Sequence, residues 1–187
     1  MSYVNPIFFE DASPAARHAA SLELEARGSL TNTQRTLLHS APAFSAYAQW
    51  YPLWDEVVAV LGQRGAVIYA HEISRASNCQ LCTASFRRAL AGLGLDPDEF
   101  RTTPEEEPII ALGQAAGRPA DPIHPETWAR LKEHFTEKDL VNLVAFAGLM
   151  VATNLFNNLV QVRLDEALVP FEPAGNLIQP DFAWDTL

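Results

Sequence analysis

The chain has 187 residues, 48% hydrophobic and 19% charged, which is enough to bury the core of one ordinary domain without metal or disulfide staples. A formal charge of −10 and a pI near 4.8 argue against nucleic acid and anionic membrane as partners, since both need clustered Lys and Arg. The start, Met1-Ser2-Tyr3-Val4-Asn5-Pro6, has no basic and no apolar stretch, so no secretory signal is read. A reducing cytoplasm is expected, where a disulfide is catalytic or transient.

Helical periodicity dominates and no alternating strand pattern is found, so the chain is read as all-α. It is taken as a single helical domain over 1–187, with halves at about 1–117 and 118–170 and a C-terminal arm at 171–187. Ser13-Pro14 opens a helix through Leu24, with Gly28 beyond its end. Thr31 to Ser40 reads as a short helix. Pro42 then starts a longer one whose Phe44, Tyr47, Trp50, Trp54, Val57 and Leu61 share a face, and Pro52 is expected to bend or break it. Gly65 to Ala76 is the next helical stretch. The cysteine helix follows, running to the Gly92-Leu93-Gly94 stop.

The middle is looser. Asp96 to Phe100 forms a turn, Thr103 to Glu107 an acidic helix start, and Gly117 to Pro122 a linker. Pro125, with Trp128, Leu131 and Phe135 at spacings of three and four, gives an amphipathic helix. Thr136 and Asp139 resemble a capping box that opens a long helix from Glu137 to about Leu168. Its run from Leu143 to Ala152 is apolar all round but too short for the ~20 residues a bilayer needs, so burial in a core or an oligomer interface is expected. Phe171, Leu177, Ile178, Phe182 and Trp184 read as an arm laid over the body or a neighbouring subunit.

The only two cysteines stand in Ser77-Asn78-Cys79-Gln80-Leu81-Cys82-Thr83. With Ser77 or Asn78 as cap, Cys79 falls in the first helical turn and Cys82 one turn further along the same face, so the sulfurs can meet. The helix dipole favours thiolate there, Cys79 more than Cys82, and the pair can act as a dithiol redox centre. The bland alternative is two small buried residues. No histidine or carboxylate has metal-ligand spacing to the pair, so zinc is disfavoured and no cofactor is expected.

The segment Ile73 to Cys82 resembles the cysteine helix of the carboxymuconolactone decarboxylase/alkylhydroperoxidase D-like family, including its peroxidase-related branch. Phe135 to Leu140, Ala152 to Asn157 and the Leu37-Leu38-His39-Ser40-Ala41-Pro42 stretch are similar to further regions of that branch, so the likeness extends over most of residues 30 to 170. It implies an all-α alkylhydroperoxidase D-like helical fold, trimers or hexamers, and a thiol peroxidase with Cys82 attacking a hydroperoxide and Cys79 resolving. A dithiol reductant protein would then restore the pair.

Peroxidase-active members carry a glutamate twelve residues before the first cysteine and a histidine four after the second. Here these positions are Val67 and Phe86. His71-Glu72, about two helical turns before Cys79, is the candidate substitute, with Glu72 as base and His71 assisting. The alternatives are a low-activity ligand-binding or redox-sensing oligomer of the same fold, whose cavity under Phe86, Trp50 and Trp54 is apolar, and, with less weight, a lactone decarboxylase.

Overall fold

The computed structural model describes residues 2–118 and 123–174. Every regular element among them is helical: α1 (Pro14–Arg27), α2 (Asn32–Leu37), α3 (Ala41–Ala48), α4 (Trp50–Ala76), α5 (Gln80–Gly92), α6 (Glu107–Gly117), α7 (Pro125–His134) and α8 (Glu137–Val160), with 3₁₀ turns at Phe9–Asp11 and Glu166–Phe171.

Capping chemistry sets most of these boundaries. Ser13 caps α1, which stops at Gly28 in the left-handed conformation (φ 75°). Thr31 with Gln34 opens α2 as a reciprocal capping box, and Thr136 with Asp139 does the same for α8. The expected helix from Pro42 to Leu61 is two helices, because the chain breaks at Gln49 and Pro52 then sits in the first turn of α4, where a missing N–H costs nothing. α4 itself is broken at Gly62 (φ 68°, ψ 167°), a backbone conformation essentially reserved for glycine. α8 ends earlier than expected. Gln161 turns left-handed (φ 53°) and donates its N–H back to the last turn, so residues beyond it are free to double back toward α5.

α4 is the central helix, packed by α5, α6 and α8. One core joins the two expected halves: Tyr69 and Ile73 of α4 meet Leu112 of α6, Leu131 of α7, and Leu143, Phe146 and Met150 of α8. Tyr69 is fully buried, and its hydroxyl donates to the Leu143 carbonyl at 3.0 Å, which satisfies the polar tip inside the core. α1, α2 and α3 close over a second core of Ala16, Ala20, Leu37, Leu38 and Phe44.

α8 is long and apolar enough to cross a membrane by length and composition alone. Here it instead buries one face, with Leu143, Phe146, Ala147, Met150, Asn154 and Asn157 turned inward. On the opposite face Val144 of the expected apolar run is exposed, as are Val141, Leu155 and Leu159 beyond the run's ends. Of the expected C-terminal arm, residues 171–174 are described, and the remainder lies outside the described residues.

Candidate active site at the cysteine corner

The turn between α4 and α5 differs from the sequence expectation in an instructive way. Ser77 and Asn78 do not start α5; they stop α4. The N–H of Cys79 donates to the Ser74 carbonyl at 3.1 Å, and that of Asn78 donates to the Arg75 carbonyl at 3.1 Å. Asn78 takes a positive φ of 51°, so the pattern is a Schellman C-cap with asparagine in the glycine position. The residue that closes this motif, Cys79, is already extended (φ −90°, ψ 101°) and is the N-cap of α5. Cys79 therefore lies outside the first turn, not in it.

Its sulfur takes the place of a serine or asparagine oxygen. Cys79 Sγ accepts the backbone N–H of Cys82 at 3.3 Å. Both thiols are free and buried. Cys82 is held by a second partner from across the fold: Asn157 Nδ2 of α8 donates to its Sγ at 3.2 Å, and Thr33 Oγ1 of α2 donates to Asn157 Oδ1 at 2.9 Å, which fixes the amide's orientation. Leu168, from the 3₁₀ turn after α8, lies over the two sulfurs together with Leu81 and Ala84.

The two thiols ionise unequally. Cys79 is drawn below the ordinary thiol range, first by the Cys82 side chain donating to it, then by the backbone N–H of Cys82, against the opposing effect of burial. Cys82 is pushed well up by the same side-chain contact with Cys79 and by burial, and Asn157 offsets part of this. One negative charge on the pair therefore resides on Cys79, at the positive end of α5.

Cys82 is the sulfur that faces space. It lines a cleft of about 530 Å³, open to solvent, together with Phe44, Tyr47, Trp50, Tyr51, Phe86 and Met150. Thr33, Gln34, Arg88, Asn157 and Asp165 supply its polar positions. The aromatic wall is braced internally: Trp50 stacks on Trp54 at 5.1 Å and its indole N–H points at Met150 Sδ at 2.8 Å. Trp54 stands behind this wall against Phe86 and Phe146 and does not line the cleft, a correction to the cavity expected under Phe86, Trp50 and Trp54.

His71 and Glu72 are brought together with each other but not with the sulfurs. Glu72 Oε2 accepts from Gln114 Nε2 at 2.7 Å and from Arg75 at 3.4 Å, while Oε1 lies 3.3 Å from His71 Nδ1. Although burial opposes its charge, these partners hold the Glu72 carboxyl down at about 2. It is an ion pair with no hydrogen bond to either cysteine among the described residues, and it lines a different cleft. A carboxylate this weakly basic is a poor proton acceptor at neutral pH, and neither Glu72 nor His71 has a hydrogen bond to Cys79 or Cys82 among the described residues. Val67 is packed with Ile68 and Leu90, and Phe86 is part of the aromatic wall, so neither substitutes for an acid–base group.

In the sequence Asn154, Asn157 and Asn158 stand out as amides in an apolar helix, expected to satisfy core or interface backbone; Asn157 instead meets the Cys82 sulfur, 75 residues away along the chain.

No protein-family model matches the chain, and no curated protein does. What the comparison with solved structures shows is the fold, an all-α, alkylhydroperoxidase D-like arrangement, here with a Cys-X-X-Cys corner. The particular likeness is to the crystal structure of an alkylhydroperoxidase AhpD core, an uncharacterized peroxidase-related protein from Ralstonia eutropha JMP134. The two agree with a TM-score of 0.65 at 15% sequence identity, over 89% of this chain and 94% of that one.

Proposed function

We propose that the chain is a thiol-dependent peroxidase, a disulfide oxidoreductase that uses Cys79 and Cys82 to reduce hydroperoxides. The observation that carries this reading is the division of labour between the sulfurs: the more acidic one is an N-cap in the interior, and the other opens on an apolar cleft large enough for an organic hydroperoxide.

The reaction balances with no other group. Cys82 Sγ attacks the terminal peroxide oxygen and passes its proton to the Cys79 thiolate that it already contacts. The O–O bond breaks, the alkoxide leaves and takes a proton from solvent, and Cys82 becomes a sulfenic acid. Cys79 Sγ then attacks the Cys82 sulfur, its proton leaving with the hydroxyl as water, and a disulfide closes. The sum is two thiols, one with its proton restored from solvent, and one hydroperoxide giving disulfide, alcohol and water. In this scheme Cys79 does the base's work that the resemblance assigns to a glutamate and histidine. A dithiol protein regenerates the pair, and a homo-oligomer, a trimer or hexamer, is the proposed working form.

The experiment is thiol titration with stoichiometric cumene hydroperoxide on the wild type, Cys79→Ser and Cys82→Ser. Two thiols should disappear from the wild type, and dimedone should trap a sulfenic acid in Cys79→Ser alone, more slowly than the wild type loses its thiols because the Cys79 base is gone. Sulfenic acid confined to Cys82→Ser would reverse the roles. Thiol loss no faster than that of free cysteine would remove the peroxidase reading and favour the ligand-binding or redox-sensing alternative, which the absence of any carboxylate or imidazole contact to either sulfur among the described residues supports.

A further inference from the structure

The second cleft, of about 320 Å³, opens on the side of α5 away from the aromatic wall. It is built by His71, Glu72 and Arg75 of α4, Thr83 and Arg87 of α5, and Asp98 and Phe100 of the following loop. Thr83 is next to Cys82 in the chain but lines this cleft and not the other.

What marks it as a site is unspent hydrogen-bonding capacity. His71 is 4% exposed and Thr83 1%, yet His71 Nε2 and Thr83 Oγ1 lack a hydrogen-bond partner among the described residues, while His71 Nδ1 faces Glu72 Oε1 at 3.3 Å. Buried polar groups are nearly always satisfied, so two such residues lining one cleft indicate a missing acceptor or donor. The charges around them decide which. Asp98 is taken up by a two-pronged contact from Arg87 at 2.7 and 2.9 Å. Glu72 is occupied by Gln114, Arg75 and the nearby His71 Nδ1. Both carboxylates are thus neutralised in place. Among the described residues Arg75 has one long contact, 3.4 Å to Glu72, and its side chain is 54% exposed, which leaves most of its donors unused there. Pro97, Phe100 and Pro173 supply the apolar part of the lining.

We propose that this cleft binds a small organic carboxylate, its oxygens taken by Arg75, Thr83 and His71 and its apolar body set against Phe100. A planar guanidinium beside a buried hydroxyl and an imidazole suits a carboxylate's paired lone pairs, and the volume is at the small end of ligand sites.

The test is calorimetric titration of benzoate into the reduced full-length protein, with benzamide as the uncharged counterpart. No peroxide is present, so the outcome is independent of the thiol chemistry. Saturable benzoate binding, with benzamide at least about tenfold weaker, is expected. Thr83→Val and Arg75→Gln should each weaken benzoate about tenfold, as the loss of one hydrogen bond to a charged group does. Arg88→Gln, in the aromatic cleft, should leave it unchanged. Arg75 lies at the surface, so its variant keeps the test valid if the Thr83 variant fails to fold. No saturable binding, indifference to both substitutions, or loss of binding in Arg88→Gln would overturn the proposal.

Discussion

Asn157 joins three helices through two hydrogen bonds, taking one from Thr33 and giving one to Cys82. Its amide is 3% exposed, so water cannot stand in for it, and the Thr33 hydroxyl leaves its Nδ2 with Cys82 as partner. A donor to sulfur favours thiolate over thiol. Asn157→Leu should therefore slow iodoacetamide alkylation of Cys82 at neutral pH by about tenfold or more, with the pH profile displaced upward, since a hydrogen bond to a charged group contributes roughly 1.5–3 kcal/mol. Thr33→Val, which only frees the amide to rotate, should have the smaller effect. Equal alkylation profiles for Asn157→Leu and wild type would show that the amide is structural. The asparagines of α8 were conspicuous in the sequence as amides in an apolar helix. Which of them meets the thiol depends on how α8 is rotated against α5, and that is a packing outcome.

At the scale of elements, the corner from Ser74 to Cys82 is two caps fused into one turn, a helix stop and a helix start that share Cys79. Local sequence signals were read correctly as cap chemistry but attached to the wrong helix, because Ser, Asn and a residue in left-handed backbone serve both ends. A third helix end presses on the same corner. A Cβ on Gly117, the last residue of α6, would lie 2.5 Å from Ala76 Cβ, 2.7 Å from the Ile73 carbonyl oxygen and 2.9 Å from Ser77 N. Two of these atoms are backbone and cannot swing aside. Gly117→Ala should cost about 1–3 kcal/mol in urea denaturation and should change the rate at which Ellman's reagent reaches the thiols, because the displaced residues lead directly into Cys79. A stability loss with unaltered thiol kinetics would separate the corner from the site. Gly117 had been read as part of a linker, and its close approach was invisible until α6 was laid against α4.

At the scale of the whole molecule, two apolar surfaces remain to be accounted for. One is covered from within: after Gln161 the chain doubles back, and its 3₁₀ turn sets Leu168 over the sulfurs while Arg87 donates to the Phe171 carbonyl at 3.0 Å. The other is the outer face of α8, where Val141, Val144, Leu155 and Leu159 fall at helical spacing and are 46–68% exposed. That stripe is the surface on which the proposed homo-oligomer would close. Light scattering of the eluted wild type should give a multiple of the chain mass of 20.6 kDa, and the double substitution Leu155→Asp with Leu159→Asp should reduce it toward one chain. A monomeric wild type would remove the oligomer from the proposal.

Composition and periodicity were sufficient for the all-helical class, for most helix boundaries and for a Cys-X-X-Cys pair close enough to react, because each of these depends on residues within a few positions of one another. Contacts over long separations were not legible. That Cys82 opens on an aromatic cleft, that Asn157 binds it, and that Glu72 and His71 turn to a second cleft all follow from how α4, α5 and α8 are rotated about their axes. Side-chain packing between helices decides those angles, and no local pattern carries them.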